Sequence, residues 1–130
     1  MRFSKKGRFG VLFCLSVFPL LAFSQAYPNR PIRVVVAFSP GGVTDIIART
    51  MQPKLAELLG QPVVIENRTG AGGSVGASMV ARSAPDGYTL LVHSSGYALN
   101  TAINPALPYD PHKDFVEVAP LASQPMVLVV

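Results

Sequence analysis

The densest chemistry in this chain lies in Phe38-Ser39-Pro40-Gly41-Gly42-Val43-Thr44-Asp45. A β-branched run, Ile32-Arg33-Val34-Val35-Val36, leads into it, and a helical pattern leads out. A buried strand that ends in a glycine turn and opens a helix leaves backbone N–H groups pointing outward without partners. Such a terminus suits an anion, a carboxylate or a phosphate. Phe38 would wall the site and Ser39 shares its turn. Gly41, Gly42 and Thr44 would supply N–H or hydroxyl donors. Asp45 is the odd member. A carboxylate there repels an anion, so it either caps the helix or faces an amine or hydroxyl of the ligand. The purely structural alternative is a tight strand-to-helix turn, capped by Thr44 or Asp45, that binds nothing.

Other clusters narrow the chemistry. Gly70-Ala71-Gly72-Gly73-Ser74-Val75-Gly76 invites a dinucleotide reading, but G-x-G-x-x-G from Gly70 needs glycine where Val75 stands. No lysine-bearing phosphate loop, G-x-x-x-x-G-K-[ST], occurs. Ala71 and Gly72 still let backbone approach a ligand closely. His93-Ser94-Ser95-Gly96 looks faintly hydrolytic, yet no glycine stands where a nucleophile elbow needs its first. Ser94, Ser95 and Gly96 serve better as neutral hydrogen-bonding groups at a strand end. His93 and His112 have no partners at metal-ligand spacing, so no metal or cofactor is expected. Glu66 and Arg68, flanking Asn67, read as a surface or loop-anchoring pair.

These residues depend on the elements that carry them. Ile32 to Phe38 predicts a strand buried on both faces. Thr44 to Leu59 predicts a helix, with Ile47, Met51, Leu55, Leu58 and Leu59 at helical spacing and Gly60 closing it. Pro53 inside it should kink or split it. Pro62 to Asn67 predicts a second strand. Ser74 to Ser83 predicts a small-residue helix with Val75, Met79 and Val80 inward. Ala84 to Gly87 is a turn, and Tyr88 to Val92 a third strand. Beyond Asn104 the chain is proline-rich, and Met126 to Val130 reads as one more strand. Alternating strand and helix implies right-handed crossovers and a mostly parallel sheet flanked by helices, an α/β fold. Ligands of such sheets gather at the carboxyl ends of the strands. The loops after Phe38, Asn67 and Val92 all lie at such ends.

Charge and length set the outer bounds. The chain has 130 residues and a formal charge of +4. Arg2, Lys5, Lys6 and Arg8 supply that excess, and the body after them is neutral. Nothing in it resembles a nucleic-acid-binding stripe. The basic start, the apolar run from Phe9 to Phe23 and Ser24-Gln25-Ala26 read as a secretory signal peptide over residues 1–26, cleaved after Ala26. The run is short for a membrane span and Pro19 interrupts it. Cys14 follows residues too bulky for a lipid-attachment site. Cleavage removes this lone cysteine, so the exported chain would fold on its core without a disulfide. The sequence stops inside its last expected strand, which predicts a truncated polypeptide.

Several segments occur together in a fixed order: Tyr27-Pro28-x-x-Pro31-Ile32, Phe38-x-Pro40-Gly41-Gly42-x-x-Asp45, Gly60-Gln61-Pro62-Val63-Val64, Glu66-Asn67-Arg68-x-Gly70-Ala71-Gly72-Gly73, Ala84-Pro85-Asp86-Gly87-Tyr88-Thr89-Leu90-Leu91 and Leu107-Pro108-Tyr109-Asp110-Pro111-x-Lys113-Asp114-Phe115. This series resembles the N-terminal part of the Bug family, the TctC-like extracytoplasmic solute receptors of tripartite tricarboxylate transporters. The resemblance implies a periplasmic receptor of two α/β lobes closing on a small carboxylic acid, with residues 27–130 forming the N-terminal part of an incomplete two-lobe domain. It further implies that the loop from Phe38 to Asp45 holds the ligand carboxylate, partly through ordered water, and that Asp45 meets a ligand amine or amide. The loops at Gly70–Gly73 and Ser94–Gly96 would line the same cleft, and the partners would be transporter membrane subunits. Pro53 and Thr69 depart from the family pattern. A non-functional truncated remnant and a secreted serine hydrolase are the alternatives.

Overall fold

The computed structural model describes residues 26–123 and Leu128. The expected signal peptide and the expected strand at Met126–Val130 fall outside them, apart from Ala26 and Leu128. The elements are β1 (Ile32–Val36), α1 (Val43–Leu59), β2 (Val63–Asn67), a single 3₁₀ turn (Ala71–Gly73), α2 (Ser74–Ala81), β3 (Thr89–Val92) and α3 (Gly96–Ile103). The three strands form one parallel sheet in the order β2-β1-β3, with helices flanking it. The predicted α/β class is the observed one.

β1 is the central strand because it carries the most apolar surface. Val35 and Val36 are fully buried, and Ile32 and Val34 nearly so. Its register places Val34 beside Ile65 of β2 and Leu90 of β3. Period-two alternation puts Ile32, Val34 and Val63 on one face, where Leu55, Ala56 and Leu59 of α1 cover them. The opposite face meets α2 at very short range. A Cβ on Gly76 would lie 2.9 Å from the Arg68 carbonyl and 3.2 Å from the Ala37 Cα.

That closeness corrects the expected inward face of α2. Val75 is about half exposed, while Ser74, Gly76 and Ala77 are buried. The smallest residues face the sheet because only they fit the gap. Pro53 does not split its helix, one of the two outcomes expected of it. α1 runs through it as one helix of 17 residues, with Pro53 on the exposed side. The lost N–H costs one hydrogen bond. The packing of Leu55 and Leu59 and the bond from Gln52 Nε2 to the Val63 carbonyl (2.7 Å) hold the helix together around it. Gly60 ends α1 in the left-handed conformation, φ 63°.

α3 was not anticipated. Its helix, Gly96–Ile103, begins directly after the third strand-end loop and packs on the 3₁₀ turn. At the far end of the sheet, Tyr27 donates to the Gly87 carbonyl (2.8 Å) and Arg30 pairs with Asp86. The Arg30 guanidinium also lies 4.2 Å from the centre of the Tyr88 ring. This clasp fixes the chain's entry into β1. Among the described residues, no helix is long and apolar enough to cross a membrane.

Candidate functional site

Parallel pairing decides where the candidate residues meet. Val36 is level with Asn67 on one side and Val92 on the other. All three following loops therefore leave the sheet at the same edge. Hydrogen bonds continue the ladder past the strands, from Arg68 N to Val36 O (2.8 Å) and from Ala37 N to Val92 O (3.3 Å). Phe38 stacks edge-on to His93 at 4.9 Å. The Gly72 backbone approaches the Asn100 side chain, and Asn100 Nδ2 donates to Ser74 Oγ (2.6 Å). The predicted convergence of the three loops is thus present.

The donors of the first loop are distributed differently from expectation. Gly41 N–H is spent on Asp45 Oδ2 (2.9 Å), and Gly42 N–H on the Ser39 carbonyl (3.2 Å). Gly42 is the N-cap of α1 and no side chain caps the helix. The backbone N–H groups of Val43, Thr44 and Asp45 have no acceptor among the described residues. The open end of the helix therefore lies one step further along the chain than the two glycines. Thr44 sits beside it, half-buried, with no partner for its hydroxyl among the described residues. Gly41 is needed for the turn itself, since its φ of 79° is one that residues with a Cβ rarely adopt.

Asp45 points inward. It is 2% exposed. Its Oδ2 accepts from Gly41 N and from Arg49 Nε (2.8 Å), and its Oδ1 accepts from Asn67 Nδ2 (2.8 Å). The Arg49 guanidinium foremost, then the Gly41 and Asn67 donors, hold this carboxyl well below the usual carboxylate range. Glu66 is the other acidic group near the loops. Burial pushes its carboxyl up, but Arg33 and Arg68 more than reverse this and leave it below its ordinary value. Glu66 and Arg68 do form the expected anchoring pair, with Arg33 as a third member.

The third loop contains no nucleophile pair. His93 Nδ1 lies 3.0 Å from the Ser94 nitrogen and 3.1 Å from the Ser94 carbonyl oxygen, so the backbone of the next residue meets this ring nitrogen in either tautomer. Nε2 is buried against Gly73, where a Cβ would collide with it, and has no hydrogen-bond partner among the described residues. Ser94 Oγ accepts from Gly96 N (3.2 Å), and Ser95 is exposed at the start of α3. The His93 ring continues into an aromatic column, Tyr97 at 5.3 Å and then Tyr109 and Phe115. Burial first, and the neighbouring Tyr109 next, push the Tyr97 hydroxyl up to about 12. No group of three or more metal-ligating side chains occurs among the described residues.

Ala71 and Gly72 lie exposed in the 3₁₀ turn, both at positive φ. A groove of about 560 Å³ beside α2 touches Ala71, the one candidate residue in its lining, and runs on past Ser78, Arg82 and Leu107. Asn67, Arg49 and Asn100 are the site-shaping residues that motif reading passed over. Arg49 carried a signal, standing four positions after Asp45 on a predicted helix. Asn67 and Asn100 carried none, because their partners are 22 and 26 positions away.

The sequence model described as Tripartite tricarboxylate transporter family receptor matches residues 47–130. The chain belongs to this family. Among its TctC-family relatives is Protein BugT of Bordetella pertussis, 46% identical over 108 residues, which are 82% of this chain and 33% of BugT. Two solved structures extend the likeness. The periplasmic binding protein BugD is 40% identical, with a TM-score of 0.65 over 68% of this chain and 30% of BugD. MatC from Rhodopseudomonas palustris, solved with bound malate, is 46% identical, with a TM-score of 0.63 over 73% of this chain and 33% of MatC. The chain spans about a third of the length of the curated relatives it matches. The TctC family is one of solute-binding receptors, and this chain has the corresponding part of their α/β architecture.

Proposed function

We propose that this chain supplies the ligand-receiving N-terminal part of a periplasmic receptor for a small carboxylic acid. The observation that carries this reading is the open N-terminus of α1, where three backbone N–H groups have no acceptor among the described residues and the three strand-end loops meet. An aligned helix terminus favours negative charge, and each charge-assisted hydrogen bond to a carboxylate contributes about 1.5–3 kcal/mol. Phe38 walls this corner. Thr44, Ser94 and Ser95 offer hydroxyls, and the backbone of Ser39, Gly42, Ala71, Gly72 and Gly96 shapes the approach. Gly41 and Asp45 serve the loop itself. The malate seen in MatC supports the choice of a small carboxylate.

In this reading residues 1–26 direct export and are removed, and residues 27–130 form one part of a two-lobe clamp. The loaded receptor hands its acid to transporter membrane subunits and catalyses nothing. The test is a chimaera in which residues 27–130 replace the matching third of MatC, titrated calorimetrically with malate. We expect saturable heat at one site. A folded chimaera that takes up no malate overturns the proposal.

A further inference from the structure

We propose that Asp45 is a positioning residue: with Arg49 and Asn67 it forms a closed latch that sets the first loop, and it does not touch the bound acid. The inference rests on the receptor reading above for what the loop holds, but the latch is visible in the geometry alone. Three hydrogen bonds close a triangle of side chains. Arg49 Nε donates to Asp45 Oδ2 (2.8 Å), Asn67 Nδ2 donates to Asp45 Oδ1 (2.8 Å), and Arg49 Nη2 donates to Asn67 Oδ1 (3.0 Å). Two further bonds tie the triangle to the shoulders of the loop. Asn67 Nδ2 also donates to the Phe38 carbonyl (3.0 Å), and Gly41 N–H donates to Asp45 Oδ2 (2.9 Å).

The triangle joins α1, the end of β2 and the loop after β1. Each carboxylate oxygen of Asp45 faces protein donors, and its side chain is buried, so no oxygen is left to meet a ligand amine or hydroxyl. The latch has two consequences for a ligand. It takes the Gly41 N–H away from the acid and leaves the acid to the N–H groups of Val43, Thr44 and Asp45. It also sets a guanidinium directly on a carboxylate in the first turn of α1, which cancels the charge that would repel an anion there. Discrimination between acids by a second polar group then falls to other residues.

The MatC chimaera separates a latch from a ligand contact. Malate and succinate differ by one hydroxyl, and both are titrated against the parent, D45N, R49M, N67A and the double variant D45N/R49M. Loss of the latch weakens both acids alike, by about tenfold for D45N, because a charged acceptor of several donors is replaced. R49M weakens both acids at least as much, since it bares the Asp45 charge, and D45N/R49M recovers part of that loss. N67A weakens both without removing any charge. A D45N loss confined to malate overturns the proposal, since Asp45 would then be reading the hydroxyl. Unchanged affinities in R49M and N67A overturn it as well.

Exchange of the Gly41 amide, measured in the same folded variants without ligand, gives a readout that binding does not control. We expect protection in the parent and exchange faster by about tenfold in D45N and N67A. Unchanged exchange overturns the latch whatever the acids do. A parent chimaera that binds neither acid, with the Gly41 exchange pattern as expected, overturns the receptor reading and leaves the latch standing.

Discussion

At the residue scale, the third loop turns on His93. The sequence offered it as half of a hydrolytic pair, and the structure gives it a packing role between Phe38, Tyr97 and the Gly73 backbone. Burial pulls its imidazole below the usual 6.5. In the unfolded chain the ring takes up a proton near the ordinary value, while in the folded chain it does so only at lower pH. Between these values the unfolded state binds more protons, so stability is full above about pH 6.5 and falls as pH falls. Thermal melts between about pH 7.5 and pH 5 should show this fall. His93→Gln, which cannot titrate, should melt lower overall but with a flatter pH dependence. A parent profile flat over that range would sink the assignment.

At the element scale, α2 lies against the sheet through residues too small to hold it further away. The sequence showed a small-residue helix, and hydrophobicity alone pointed to Val75 as an inward residue. Size overrode hydropathy, because the Ala37 backbone and the Arg68 carbonyl stand directly under Gly76. Gly76→Ala gives a Cβ no room against two backbone atoms, and backbone yields less than a side chain. We expect a loss of about 1–3 kcal/mol despite alanine's better helix propensity. Chemical denaturation checks this, and a Gly76→Ala chain as stable as the parent refutes the close approach. The same scale explains two motifs that sequence reading could only note as co-occurring. Tyr27-Pro28-x-x-Pro31 and Ala84-Pro85-Asp86-Gly87-Tyr88 are physically joined through Tyr27 to Gly87 and Arg30 to Asp86.

At the scale of the whole molecule, the described sheet has three strands and two outer edges, on β2 and on β3. Strand edges with unpaired N–H and C=O groups invite pairing with another chain. Val64 on β2 is half exposed and adds apolar surface at one of those edges. The chain studied alone should therefore associate as its concentration rises, whereas the MatC chimaera should not. Sedimentation velocity distinguishes the two, and a monomeric chain at high concentration would show that the edges are protected.

The sequence alone was enough for the α/β class, the parallel sheet and the three loops at one edge, because these follow from periodicity, glycine turns and the handedness of crossovers. All are local patterns repeated along the chain. It was also enough for the family, through motifs in a fixed order. Which groups at the edge are free and which are spent was decided only by the tertiary structure. Gly41 and Arg49 each lie four positions from Asp45, but Asn67 comes from a separate strand, and its bonds to Asp45, Arg49 and Phe38 exist only once β2 lies beside β1. The first loop therefore read as donors at Gly41, Gly42 and Thr44 beside an acid that caps the helix or faces the ligand. Folding turns the acid inward, occupies the glycines and opens the next three N–H groups instead.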